Sequence, residues 1–238
     1  MKSEALRRIA VISIALALIG GVGLSMPANA ADTRYITISA TGSTSVVPDA
    51  VRITATVSVV GKTSKEALAT ASTTSSSVRK ALMAKKIATK DVATQSVSVF
   101  PEYTYPANGT PLLSGYRASQ SFDIIVRAAS TAGAVVDAIV EAGGDNLQVN
   151  SASPFVLDND KATETARASA VARAKAKASS YAKLLGVKLG KVIYLDETST
   201  PTIFPVYSAS AKAEDSATQI DLGEQKVSVS VTVRWSIG

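Results

Sequence analysis

Apolar and polar positions alternate from Ile36 onward. Ile36, Ile38 and Ala40 are interleaved with Thr37, Ser39 and Thr41, and after Pro48-Asp49 the series Val51, Ile53, Ala55, Val57, Val59 repeats the pattern. A period of two places successive side chains on opposite faces, so these segments predict strands with one buried face. Beyond Gly61 the period lengthens. Leu68, Ala71, Ser75, Val78 and Leu82 recur at three and four residues, which predicts a helix from an N-cap at Ser64, with Glu66 in its first turn. Arg79, Lys80, Lys85 and Lys86 crowd its end, where cations favour the negative pole of the helix. Strand character returns from Val92 to Tyr105. Turn residues follow to Pro111, and Tyr116, Ala118, Gln120, Phe122, Ile124 and Val126 mark the facing strand of a long hairpin. A short helix is predicted over Thr131–Ala142, with Val135, Val136, Ile139 and Val140 on one face and Gly143-Gly144 as its stop. A strand from about Asn146 to Val156 completes the order β-α-β-β-α-β. That order predicts an α+β fold with a split β-α-β, ferredoxin-like antiparallel core and both helices on one face.

The remaining elements extend this core. Asp158-Asn159-Asp160 opens a long alanine-rich helix, and acidic residues at a helix start read as caps rather than as a calcium loop. Ala162, Ala166, Ala170, Ala174, Ala178 and Ala182 recur at every fourth position; Ala168, Ala172 and Ala176 form a second row on nearly the opposite face. Alanine is the best helix former, so propensity alone could account for both rows. The alternative is close approach on both faces: one against the chain's own sheet, the other, at Ala168, Ala172 and Ala176, against a neighbouring subunit. Gly186 ends the helix and Val192–Asp196 predicts a strand. Ser199–Gln225 has no period and reads as a long, mobile loop, with Phe204 and Tyr207 as its large side chains and a candidate ligand lid. The chain closes on strict alternation, Val227, Val229, Val231, Val233, Trp235 and Ile237, which predicts C-terminal strand structure added to the core.

Composition narrows the chemistry. Lys2, Arg7 and Arg8, the apolar run Ile9–Leu24 and the small residues Ala28 and Ala30 predict a cleaved export signal over 1–30. The apolar run falls short of the roughly twenty residues of a spanning helix, and no later run is long and apolar enough, so no transmembrane segment is expected in the mature chain. The expected location is outside the cytoplasm: periplasm, cell envelope or medium. The formal charge of +6 falls to +4 when Lys2, Arg7, Arg8 and Glu4 leave with the signal, and aromatics make up only 5% of the chain. Dispersed weak positive charge without stacking residues gives no support to nucleic-acid binding. The chain has no Cys and no His, which excludes thiol catalysis, Ser-His-Asp triads and the usual zinc and copper ligand sets. No phosphate loop or cofactor motif occurs. Ser77–Lys80 and Ser180–Lys183 have Ser-x-x-Lys spacing but lack the companion motifs of the Ser/Lys hydrolases.

Four segments, taken in order, are similar to the SIMPL-domain family of exported bacterial proteins. They are Ile36–Gly42 with Pro48-Asp49-Ala50; Ser114-Gly115-Tyr116; the alanine helix with Ala166-Arg167, Ala172-Arg173-Ala174-Lys175-Ala176 and Leu184-Leu185-Gly186; and Leu222-Gly223-Glu224. Leu222 departs from the Pro-Gly that the family often carries there. The resemblance covers nearly all of 36–237. It implies a non-enzymatic domain of unknown function, of a type linked to periplasmic immunogenic proteins, to a channel-like ring and to oxidative-stress defence. Defence by direct thiol chemistry is excluded here, because there is no thiol. The function expected from the sequence is a homo-oligomeric assembly or binding module of the envelope, with an envelope protein or polymer as a further partner and with no catalytic, cofactor or metal residues. The alternatives are a monomeric module that captures a ligand or peptide beneath the Phe204–Tyr207 loop and, more remotely, a Ser/Lys hydrolase.

Overall fold

The computed structural model describes residues 34–107, 109–197 and 218–238, and the backbone path of 202–206. The export signal predicted over 1–30 lies outside the described residues. The element order is β1 (Tyr35–Val46), β2 (Ala50–Gly61), α1 (Ser64–Ala84), β3 (Val92–Thr104), β4 (Leu112–Val126), α2 (Ala132–Gly143), β5 (Leu147–Phe155), α3 (Asp160–Leu184), β6 (Leu189–Glu197), β7 (Thr202–Val206) and β8 (Glu224–Ile237).

The strands form two antiparallel sheets. The first has the order β3-β4-β2-β5 and carries α1 and α2, so the β-α-β-β-α-β unit is present as the periodicity predicts. Its core brings Val51, Ile53 and Val57 of β2 and Phe122, Ile124 and Val126 of β4 against Ala67, Ala71, Val78 and Leu82 of α1 and Val135 and Ile139 of α2. Each large side chain fully buried here contributes about 1.5–3 kcal/mol. Two local expectations shift by one position and a third fails. Thr63, not Ser64, caps α1: its extended backbone lets Oγ1 accept the Glu66 N–H at 3.2 Å, and the Glu66 carboxylate in turn accepts the Lys62 N–H. Ala67 takes the buried place expected of Leu68, which is exposed. Val140 turns outward, off the buried stripe of Ala132, Val135, Val136 and Ile139.

The second sheet joins the two ends of the described chain. β8 lies between β1 and β6, and its register with β1 runs from Tyr35↔Ser236 to Val46↔Gln225. β7 pairs with β8 over Thr202↔Ser228 to Val206↔Glu224. A strand therefore stands inside the segment read as loop, and residues 224–225 belong to β8. It escaped the pattern because it is five residues long and contains Pro205, which is tolerated in a strand paired on one side only.

α3 lies across β1 and β8. Its row Ala162, Ala166, Ala170, Ala174, Ala178 is buried against Ile38, Ala40, Val227, Val229, Val231, Val233 and Trp235. A Cβ at Gly42 would overlap the Ala166 carbonyl oxygen and the Ala170 nitrogen, so helix and strand backbones touch there. Close approach therefore accounts for this row; propensity alone would not place glycine opposite it. At the start of the helix the Asp160 N–H donates to Asp158 Oδ1 at 2.9 Å, an Asx turn one residue before the N-cap Asn159, whose own side chain makes no cap bond. Asp49 ties the two halves together: its side chain accepts the Leu157 N–H at 2.8 Å and its carbonyl accepts the Ala129 N–H at 3.0 Å.

Asp91, in the turn after α1, is buried and accepts two bonds from the Arg127 guanidinium, Nε to Oδ2 at 2.8 Å and Nη2 to Oδ1 at 2.7 Å. These bonds outweigh burial and, with the charges of Arg127 and Lys90, hold the carboxyl below its ordinary value of 3.8. A carboxyl lowered in the folded state adds stability above its unfolded value, and that contribution is lost as pH falls through the lower folded value. Asp91→Asn is expected to flatten the acid limb of the stability curve below about pH 4 while lowering stability at neutral pH. Urea denaturation of both proteins across a pH series measures this; parallel curves would refute it.

Candidate functional site

The faces of the two sheets that the helices leave uncovered are polar. In the second sheet Ser39 pairs with Thr232 and Thr41 with Ser230, each hydroxyl pair at 2.8 Å; in the first, Thr54 pairs with Ser151 at 2.8 Å and Thr56 with Ser121 at 3.0 Å. Such cross-strand hydroxyl pairs satisfy one another and sit well in water. Apolar exposure is found instead at the strand edges, at the end of the long hairpin and at the end of α3, where Tyr181, Leu184 and Leu185 are exposed.

The clearest edge is β6. Val192, Ile193, Tyr194 and Leu195 are consecutive and are exposed by 56%, 48%, 50% and 51%. α3 covers β1 and β8 and scarcely reaches β6, so side chains on both faces of this strand meet solvent. β6 pairs with β8 on one side through a register with two irregularities, and among the described residues no strand pairs its other side. Arg167 of α3 anchors the far end of the strand, with Nε at 2.6 Å and Nη2 at 3.1 Å from the Glu197 carboxylate. These bonds hold the Glu197 carboxyl below its ordinary value. On the other flank Arg173 Nη1 donates to the Thr41 carbonyl at 3.3 Å. Two of the basic residues along the helix edges therefore clamp α3 to its own sheet.

The outer edge of β1 is also unpaired among the described residues. A shallow pocket of about 420 Å³ runs beside it, lined by Thr37, Ile38 and Ser39 of the strand and by Lys177, Ser180, Tyr181 and Leu184 of α3. The third feature is the hairpin arm. β2 stops pairing with β4 at Gly61↔Tyr116, whereas β3 and β4 stay paired out to Thr104↔Leu112. Tyr103, Tyr105, Leu112 and Leu113 are exposed along this extension. Its base is pinned by Arg117 Nη2 on Glu102 Oε1 at 2.6 Å.

The residues singled out in the sequence fall as follows. Ala168, Ala172 and Ala176 lie on the exposed side of α3, opposite the buried row. Phe204 sits in β7, where the backbone alone is described, and Tyr207 lies outside the described residues. The three alanines therefore form one exposed row on the helix. Ser77 Oγ donates to the Thr73 carbonyl at 3.3 Å, an ordinary bond back to its own helix. The apolar edge of β6 was missed as a site. Its signal was present, because four successive apolar residues break the alternation of a strand with one wet face.

Fold and surface define an α+β protein in two halves, a split β-α-β sheet and a sheet closed by an alanine helix, with apolar side chains exposed at strand edges and along an arm. The family model described as SIMPL, protein of unknown function (DUF541), matches residues 36–235, and the chain belongs to this family. The 26 kDa periplasmic immunogenic protein of Brucella melitensis is 28% identical over 232 residues, covering 90% of this chain and 91% of that protein. The uncharacterized protein YggE of Escherichia coli strain K12 is 29% identical over 183 residues, 76% of this chain and 73% of that one. Among the described residues no helix is long and apolar enough to cross a membrane.

Proposed function

We propose that the protein is a non-enzymatic periplasmic module that assembles with copies of itself in the cell envelope. One observation carries this reading: the four-residue apolar run Val192–Leu195 on a strand whose outer side has no partner among the described residues. An exposed, apolar strand edge is a template for pairing with another chain, and natural proteins cover or charge such edges unless they use them. A second copy supplies both an apolar partner and the missing backbone bonds. The periplasmic assignment rests on the name of the Brucella relative. The absence of Cys and His from the chain supports a non-enzymatic role.

Light scattering on the exported protein across a concentration series tests the proposal. The wild type is expected to give a defined oligomer. Ile193→Lys is expected to give a monomer with unchanged circular dichroism, because a charge at the centre of the edge opposes pairing. Ala172→Trp asks whether the exposed row Ala168, Ala172, Ala176 also contacts a subunit: loss of mass with the fold retained would include the row, and an unchanged oligomer would remove it. A wild type that is monomeric at all concentrations would overturn the proposal.

A further inference from the structure

A second feature is unrelated to the strand edges. Where α1 ends and β4 runs out, a pocket of about 430 Å³ is lined by Lys85, Lys86, Lys90 and Arg127, with Asp91 as its one carboxylate and Thr131 on its wall. Both oxygens of Asp91 are taken by Arg127. None of the three lysines has a carboxylate partner among the described residues. Arg127 is fixed through Nε and Nη2, which leaves Nη1 without a partner among the described residues, and its side chain remains 52% exposed. A guanidinium held in place by a buried carboxylate gives up little freedom when it binds an anion.

The backbone marks one of these lysines. Lys86 has φ 63 and is the one non-glycine residue with positive φ among those described. It occupies the left-handed position just past α1, where the Lys86 N–H donates to the Met83 carbonyl and the Ile87 N–H to the Leu82 carbonyl. α3 ends with the same pair of bonds, Gly186 N–H to Lys183 and Val187 N–H to Ala182, and there the residue at φ 68 is glycine. Glycine adopts this conformation without strain and lysine does not. Favouring the negative pole of α1 does not explain the choice, since Lys85 serves that purpose with ordinary dihedrals. Strain of this kind is retained where the side chain has a use.

We infer that this pocket is a phosphate-binding site, in which Lys85, Lys86 and Lys90 neutralise the anion and the Asp91-held Arg127 donates to its oxygens. Phosphate fits a planar guanidinium with three ammonium groups lining the same pocket better than a single carboxylate does, because it offers more oxygens and more charge to the same donors. The volume admits the phosphate with part of the group that carries it. The ligand class is a phosphate borne on a small soluble molecule or on a lipid headgroup.

The test uses inorganic pyrophosphate by titration calorimetry and vesicles of phosphatidylglycerol or phosphatidylcholine by co-sedimentation, at low and high salt. The wild type is expected to bind pyrophosphate or phosphatidylglycerol, with affinity falling as salt rises. Pyrophosphate alone assigns a soluble ligand; phosphatidylglycerol in preference to phosphatidylcholine assigns a headgroup. Lys86→Gly is expected to raise the melting temperature and to weaken binding about tenfold, a combination that misfolding cannot produce. The double variant Lys85→Gln/Lys90→Gln is expected to weaken binding with at most a small fall in melting temperature, from the lost charges beside the helix end and Asp91. No binding to either probe by the wild type, or binding unaltered in both variants, would overturn the inference. Neither outcome bears on the oligomer, whose edge strand lies in the other sheet.

Discussion

Gly42→Val detaches α3 from its sheet. The strand residue has no room for a side chain: a Cβ would overlap Ala166 O and Ala170 N and would lie 2.8 Å from Ala170 Cα, all of them backbone atoms of the helix. Backbone of a 25-residue helix cannot yield by a rotamer change, so the whole helix must lift. That opens a gap over Val229, Val231 and the rest of the alanine row. Overpacking a core by a methyl group or more usually costs about 1–3 kcal/mol. With rigid backbone on both sides, a loss of about 3 kcal/mol or more is expected even for Gly42→Ala. The readout is built in: Trp235 is the one tryptophan of the chain, and it lies 4% exposed in this same core. Its emission should shift to the red in the folded variant, and the urea midpoint should fall. Unchanged emission together with an unchanged midpoint would show that α3 is not seated on β1 as described.

Phe122→Ala strikes the other core. Phe122 is the largest fully buried side chain among the described residues and stands on β4, between β3 and β2. Arg79 of α1 lays its guanidinium 5.0 Å from the ring centroid and donates to Thr94 Oγ1 at 2.6 Å, so ring, helix and edge strand are joined at one point. Removing a buried aromatic ring costs about 3–5 kcal/mol through lost burial and the cavity left behind. Trp235 is not in this cluster. Its emission in the folded variant should therefore match the wild type even as the urea midpoint falls. A red shift like that of the Gly42 variants would mean that the two cores loosen together. A cost below about 1 kcal/mol would mean that the site collapses around the missing ring.

Much of the fold was legible because it is written in local periodicity. The two-residue alternation of β2 and β8 and the wider spacing of α1 fix which side chains must be buried, and burial of apolar surface is the main force that places them. The errors lie where neighbours decide. Ser64 and Thr63 are adjacent hydroxyl residues, and the backbone conformation at Thr63 selects it as the cap. Val140 is as apolar as Val136, yet its place on the helix turns it away from the core. The short, proline-containing β7 gave no signal, because its strand character comes from its partner β8. For the candidate sites, the alanine rows were visible, and the row read as free for a subunit contact, Ala168, Ala172 and Ala176, is the exposed one. Spacing cannot separate close approach from helix propensity, and Gly42, which decides for close approach at the buried row, lies more than a hundred residues away.

What the sequence determined by itself is the set of elements other than β7, the β-α-β-β-α-β order, the long alanine helix and the family. These follow from side-chain period and from ordered short motifs, both local properties. What only the tertiary structure decided is the division into two sheets, with Tyr35 paired to Ser236 across almost the whole chain. It also decided the exposure of Val192–Leu195 and the convergence of Lys85, Lys86, Lys90 and Arg127 on one pocket. Strand partners, uncovered edges and charge clusters arise from contacts between distant residues, and no period along the chain encodes which distant residues will meet.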